Sequence, residues 1–218
     1  MKSFQNHLNN KSSLTDQNKI SAYTIIRNNS VSKNDEVIFE HTKDADADNF
    51  LLAAYQHFNL NYPKFYKMDN LCKLGIIATE ALLKDNAIED DPYTTGIVLS
   101  NANSSMDTDI KYYDTVANIA SPALFVYTLA NIVIGEISIK HSFKGENAFF
   151  IFDSFDAGFI TQYVSHLFET TAIKRCICGW VDLLGNNYEA VLFLVEKTNA
   201  ATEAKAFTKE NLNNIYHK

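Results

Sequence analysis

The sequence predicts an α/β fold: a five-stranded, mostly parallel sheet with one antiparallel strand and helices on both faces. Three observations carry this expectation. Short β-favouring runs alternate with segments of helical apolar spacing, the pattern of a sheet wound with crossover helices. Residues 148–152 (AFFIF) are unbroken apolar and short, as a strand covered on both faces would be. The last two strand-like runs, 173–181 and 189–195, are separated by Leu-Gly-Asn-Asn turn chemistry, so they pair as a hairpin and supply the antiparallel member.

In chain order, residues 1–20 are rich in Asn, Ser, Lys and Gln and read as a flexible N-terminus. A first strand covers 22–27 (AYTIIR), and after an Asn-Asn-Ser turn a short edge strand covers 36–40 (EVIFE). Residues 41–48 form an acidic loop. Phe50, Leu51, Ala54, Tyr55 and Phe58 then mark an amphipathic helix. Asp69 is placed to cap a longer helix running to about residue 84, whose apolar face is Leu71, Leu74, Ala78, Ala81 and Leu82. A buried strand follows at 96–100 (GIVLS), then a polar Asn/Ser/Asp loop that tips into a short helix. The spacing over 123–139 predicts a buried helix in which Gly135 admits a close neighbour. Polar residues at 141–147 turn the chain into the AFFIF strand. A tight bend, SFDAG, leads into a helix whose face is Phe159, Tyr163, Val164, Leu167 and Phe168. After the hairpin, 207–216 suggests a terminal helix through Leu212, Ile215 and Tyr216.

Composition narrows the function. At 218 residues, 46% hydrophobic and 21% charged, the chain has ordinary globular composition and length for one continuous core. A formal net charge of −7 excludes a binder of nucleic-acid phosphates, which needs clustered Lys and Arg. Three cysteines, Cys72, Cys176 and Cys178, make no disulfide framework, and Cys-x-Cys within an apolar strand reads as packing rather than as a ligand pair. Neither a metal nor a cofactor is expected. The polar N-terminal stretch lacks the apolar core of a signal peptide. The longest apolar run carries Asn131 and Glu136, which a membrane span would rarely accept. A soluble, cytoplasmic protein is the expectation.

A bend at the end of a buried strand is where α/β folds place reactive groups, because the following helix aims backbone N–H groups at it. Five segments, in order, resemble β-ketoacyl-acyl-carrier-protein synthases of the thiolase-like superfamily. FYKMDNLCKLGIIATEALLKD is similar to the Met-Asp pair that opens a long helix in that family, and TTGIVLSN to the strand after it. SPALFVYTLANIVIGEISIKHSFKGEN resembles the family's Ser-Pro, Leu-Pro-Asn, Ala-Gly and Gly-Pro-Asn run, with Ala130 and Glu146 where prolines are usual. RCICGWVD and YEAVLFLVE resemble two later strands. The likeness covers about residues 62–197 and implies half of a thiolase-like fold: a ketosynthase N-terminal-half-like domain over 21–197, with 198–218 as a tail or helix.

The departures from that family bear directly on function. The resemblance puts a cysteine nucleophile on the bend, and here either Ser154 or Phe155 stands in its place, with Asp156 beside them. The two further catalytic residues come from a second half that this chain does not contain, so charge developing in decarboxylation would lack its donors. A serine with no base is a weak nucleophile. His141 reads as a helix-end or loop histidine at the strand's other end. The resemblance also implies pairing through the strand before the bend, here Phe149, Phe150, Ile151 and Phe152. The expected function is a non-catalytic, chain-length-factor-like subunit in fatty-acid, polyketide or polyene-type biosynthesis. Its partners would be a second copy or a full-length ketosynthase, and acyl carrier protein. The alternatives are an acyltransferase or 3-oxoacyl-ACP synthase-type enzyme using Ser154, and a purely structural dimer. An apolar tunnel reaching the bend would favour the chain-length-factor-like subunit or the acyltransferase; a solid aromatic plug would favour the purely structural dimer.

Overall fold

The computed structural model describes residues 18–86, 88, 91–197 and 204–218. One mixed sheet organises them, in the order β3-β2-β1-β7-β6-β4-β5, with β8 also paired to β1. The strands are β1 (Asn18–Arg27), β2 (Ser30–Lys33), β3 (Glu36–Glu40), β4 (Thr95–Asn101), β5 (Asn147–Ile151), β6 (Arg175–Leu184), β7 (Asn187–Lys197) and β8 (Lys205–Ala206). The sheet therefore has eight strands rather than the expected five. Only the β4–β6 and β4–β5 ladders are parallel. Along the path β1-β7-β6-β4-β5, β7 alone runs against the others.

The extra strands come from turn chemistry. Asn28 and Asn29 (φ 50° and 59°) join β1 to β2, and Asn34 and Asp35 (φ 49° and 73°) join β2 to β3. Both are two-residue connections with left-handed residues, the twist-matched hairpin turn that Asn and Asp tolerate best. β1 is paired with β7 along its length, so its other edge is shared by β2 over Thr24–Arg27 and by β8 at Lys19 and Ile20. β1 thus begins within the stretch expected to be flexible, and residues 1–17 lie outside the described residues.

Helices cover both faces. On one lie α1 (Ala47–His57), α2 (Asn70–Leu83) and α5 (Ile132–His141), packed on Ile26, Ile97, Leu99, Ile177, Val181, Leu192 and Leu194. On the other lie α6 (Ala157–Thr170) and α7 (Lys209–Tyr216), packed on Tyr23, Val98, Cys176, Cys178, Trp180, Val191, Phe193 and Val195. The strict alternation along β4, β6 and β7 follows from the two-residue side-chain period of a strand. Asp69 caps α2, its Oδ1 accepting from the Cys72 N–H at 3.0 Å. Residues 204–218 are no loose tail, since Phe207, Leu212 and Ile215 are fully buried.

The segment 123–139 departs most from expectation. It is a four-residue α4 (Pro122–Phe125), an irregular turn, and then α5. Phe125, Val126, Leu129 and Ile139 are exposed, and a Cβ added to Gly135 would meet no atom within 4 Å. The close approach is made instead by Gly75 of α2, where an added Cβ would lie 2.3 Å from Cγ2 of Val133 on α5. α5 therefore buries one stripe, Val133, Ile134, Glu136 and Ile137, and leaves Ile139 exposed. α3 (Met106–Val116), which follows β4, buries only Asp107 and Thr108.

Candidate functional site

The bend after β5 is built as the sequence suggests and filled differently. Among the described residues β5 lies at the edge of the sheet, paired only with β4, and it is half-covered rather than buried on both faces. Phe149 packs towards the α2 and α5 side, Phe150 and Phe152 towards the α6 side, and Ile151 is exposed. Phe150, Phe152, Phe159 and Tyr163 form an aromatic cluster there, with the Phe150 and Phe159 ring centroids 4.7 Å apart. Asp156 caps α6, its Oδ1 accepting from the Phe159 N–H at 2.9 Å, so this carboxylate is committed to helix structure.

At the turn itself Ser154 points outward and Phe155 inward. Ser154 is exposed and makes no side-chain hydrogen bond to another described residue, so nothing there would activate its hydroxyl. Phe155 is buried against Tyr216 (centroids 4.7 Å), Phe193 (6.1 Å) and Trp180 (6.4 Å). Tyr216 is held from behind: its hydroxyl donates to Glu189 Oε1 at 2.6 Å, and the Arg27 guanidinium lies 4.8 Å above its ring while bonding Glu189 Oε2 at 2.8 Å. Burial, then the bond to Glu189, pushes the Tyr216 phenol well above its ordinary range. Of the two features that would separate acyl chemistry from a structural role, the bend has the aromatic plug. Over it lies a shallow, polar depression of about 390 Å³ between residues 152–157 and Lys209 and Asn213 of α7.

Among the described residues no cysteine or histidine lines the bend. All three cysteines are buried and unpaired, and burial pushes the Cys72 and Cys178 thiols well above their ordinary values. Such thiols are protonated and inert. His141 ends α5 and bonds Glu80 Oε1 at 2.8 Å, on the opposite face of the sheet from α6. Glu136 is a buried acid that the apolar pattern around it concealed. Lys64 Nζ lies 2.7 Å from its Oε2, and the Tyr127 hydroxyl donates to its Oε1 at 3.2 Å.

The other unusual surface is apolar. Ten of the fifteen exposed large apolar side chains among the described residues fall between Met106 and Ile151, with Ile119 at 85% and Tyr113 at 77% exposure. These side chains belong to α3, α4, α5, their connections and the free edge of β5. Among the described residues no helix is long and apolar enough to cross a membrane. The same residues hold no group of three or more His, Cys, Asp or Glu placed to bind a metal ion.

A mixed sheet layered between helices, with its bend after a parallel edge strand, defines a ketosynthase-like α/β fold. The solved structures bear this out. The chain is similar to the ishigamide ketosynthase/chain length factor at 14% identity and a TM-score of 0.62, over 86% of this chain and 64% of that one. It is similar to a type II PKS acyl-carrier protein complex with its ketosynthase bound to the hexaketide, at 14% identity and a TM-score of 0.56, over 84% and 63%. It is also similar to a complex of a ketosynthase with its chain length factor from Xenorhabdus doucetiae, at 12% identity and a TM-score of 0.55, over 92% and 90%. The chain thus spans less than two thirds of the first two and is nearly the same length as the third. No family model and no curated protein matches it.

Proposed function

We propose that this chain is a non-catalytic, ketosynthase-like subunit that acts by pairing, in the manner of a chain length factor, with a full-length ketosynthase in fatty-acid, polyketide or polyene-type biosynthesis. The observation that carries the reading is the run of exposed apolar side chains along α3 to α5, followed in sequence by the strand β5, whose outer edge is unpaired among the described residues. Monomeric soluble proteins rarely leave so much apolar surface together, and an open apolar strand edge is an aggregation hazard unless something covers it. The cover would include Phe149, Phe150, Ile151 and Phe152 of the edge. The plugged bend and the unactivated Ser154 support a role without condensation chemistry. Chain length factors in two of the similar structures give the pairing its precedent. Acyl carrier protein would serve the pair, and the cytoplasm would be its place.

The aromatic plug also favours a purely structural homodimer, and one experiment separates the two. The chain is produced alone and together with a full-length ketosynthase from the same source, then analysed by size-exclusion chromatography with light scattering. A stable one-to-one complex with the synthase is expected. A homodimer that ignores the synthase supports the structural reading, and a stable monomer that binds neither partner refutes pairing altogether. Condensation of acyl and malonyl thioesters by the purified chain alone would overturn the non-catalytic assignment.

A further inference from the structure

A cavity of about 480 Å³ opens where the C-terminal turns of α1, α2 and α5 converge, within the range of small-molecule sites. Its apolar walls are Phe58, Leu60, Leu83 and Phe143, and its polar groups are His57, Glu80, Lys84 and His141. Among the described residues Glu80 is the one carboxylate in that lining, and it is already spoken for. Its Oε1 receives Lys140 Nζ at 2.9 Å and His141 Nε2 at 2.8 Å. Burial alone would push the Glu80 carboxyl up; the bonds from His141 and Lys140 outweigh that and hold it below its ordinary value.

The His141 ring is oriented as well as bonded. It lies against Phe143 with ring centroids 5.2 Å apart and planes 13° apart, while Glu80 engages Nε2. No other described side chain or carbonyl bonds the ring, so Nδ1 is left without a partner among the described residues. A carboxylate suits that environment: a protonated imidazole has an Nδ1–H to donate to it, and the Lys84 ammonium adds a second positive group. An ammonium would face Lys84 and the imidazolium instead.

We propose that this cavity is a binding site for a carboxylate carried on a small apolar body, with His141 and Lys84 meeting the head and Phe58, Leu60, Leu83 and Phe143 packing the body. The site lies within one chain and does not depend on the pairing proposed above, so either can fail alone. The test is calorimetric titration of the purified chain with octanoate, octanamide and octylammonium. Saturable one-to-one binding of octanoate is expected, with octanamide roughly tenfold weaker and octylammonium weaker still. His141→Gln and Lys84→Gln should each weaken octanoate about fivefold. Leu83→Trp, which fills the cavity, should abolish binding, and Ser154→Ala at the bend should leave it unchanged. If His141→Gln does not fold, Lys84→Gln at the exposed mouth carries the same arm. The proposal is overturned by absence of saturable octanoate binding, by octanamide or octylammonium binding as tightly, or by octanoate binding indifferent to both Lys84→Gln and Leu83→Trp.

Discussion

Restoring a thiol to the bend by Phe155→Cys should break the structure locally without restoring chemistry. The phenylalanine ring fills the space between Tyr216, Phe193 and Trp180 and is only 9% exposed. Truncating a buried phenylalanine to alanine costs about 3–5 kcal/mol, and the sulfur refills a little of the void, which leaves about 2–4 kcal/mol. For a chain of this size that is a fall of roughly 5–15 °C in melting temperature. Trp180 is the single tryptophan, so its fluorescence reports unfolding from inside the affected cluster. Phe155→Leu keeps most of the volume and should cost less, about 1–2 kcal/mol. The variant should also gain no condensation with acyl and malonyl thioesters, because a thiol at the bend would have no histidine beside it. A loss under about 1 kcal/mol would refute the plug, since the ring could not then be filling that space. Condensation in Phe155→Cys would refute the assignment of the bend as chemically silent.

The edge of β5 gives a sharper assembly test: Ile151→Asp puts an unpaired charge into any partner contact made there, and should abolish the synthase complex in light scattering while leaving circular dichroism unchanged. In the core, Lys64→Met strips the cation from Glu136, whose side chain is 4% exposed. The cost should be about 2 kcal/mol by urea denaturation, below the ~3–5 kcal/mol of a fully buried pair because Lys64 is 40% exposed and water partly replaces it. Adding Glu136→Gln should recover part of that loss. Glu80 predicts a pH dependence. A carboxyl with a lowered folded value adds stability that is complete above the ordinary glutamate pKa of about 4.3 and fades as pH falls through the folded value. Wild type should therefore exceed Glu80→Gln in stability at pH 7, and the gap should close below about pH 4 in urea titrations.

The sequence disclosed the elements with strong local signals and missed what depends on distant partners. Asp69 is legible as a cap because its carboxylate has only to reach Cys72, three residues on. The β6–β7 hairpin is legible from its Gly-Asn turn. β2 was equally signalled, by Asn28-Asn29 and Asn34-Asp35 six residues apart, but a four-residue strand with one buried side chain hides between them. Residues 123–139 mislead for a different reason. Apolar spacing shows which residues avoid water, and it cannot show whether the cover belongs to this chain. The partners of Glu136 are Lys64 and Tyr127, and Lys64 lies 72 positions earlier, so the buried acid looked like an interruption in an apolar run. At the bend, Ser154 and Phe155 were both open as occupants of the nucleophile position; burial separates their environments, and only the fold brings Tyr216 from the far end of the chain onto Phe155.

The two edges of the sheet bear on where a partner would sit. β3 carries Glu36 and Glu40 at its ends, holds a register shift opposite Val31 and Ser32, and has its Ile38 carbonyl bonded by His57 from α1. Charge, irregularity and a covering side chain are the devices by which an edge strand avoids pairing with another chain. β5 has none of them: it reads Asn-Ala-Phe-Phe-Ile, keeps an unbroken register with β4, and presents Ile151 to solvent. Among the described residues, one edge is thus protected and the other is apolar and regular, which supports the proposed pairing at the second. Exposed Phe125, Val126, Leu129 and Ile139 lie in the segment leading into β5, so a partner seated there could bury the strand and those side chains together. Because Phe155, four residues beyond that strand, plugs the bend, such a partner would gain a surface and no nucleophile. On the proposed reading, the chain would act through what it covers in a partner molecule.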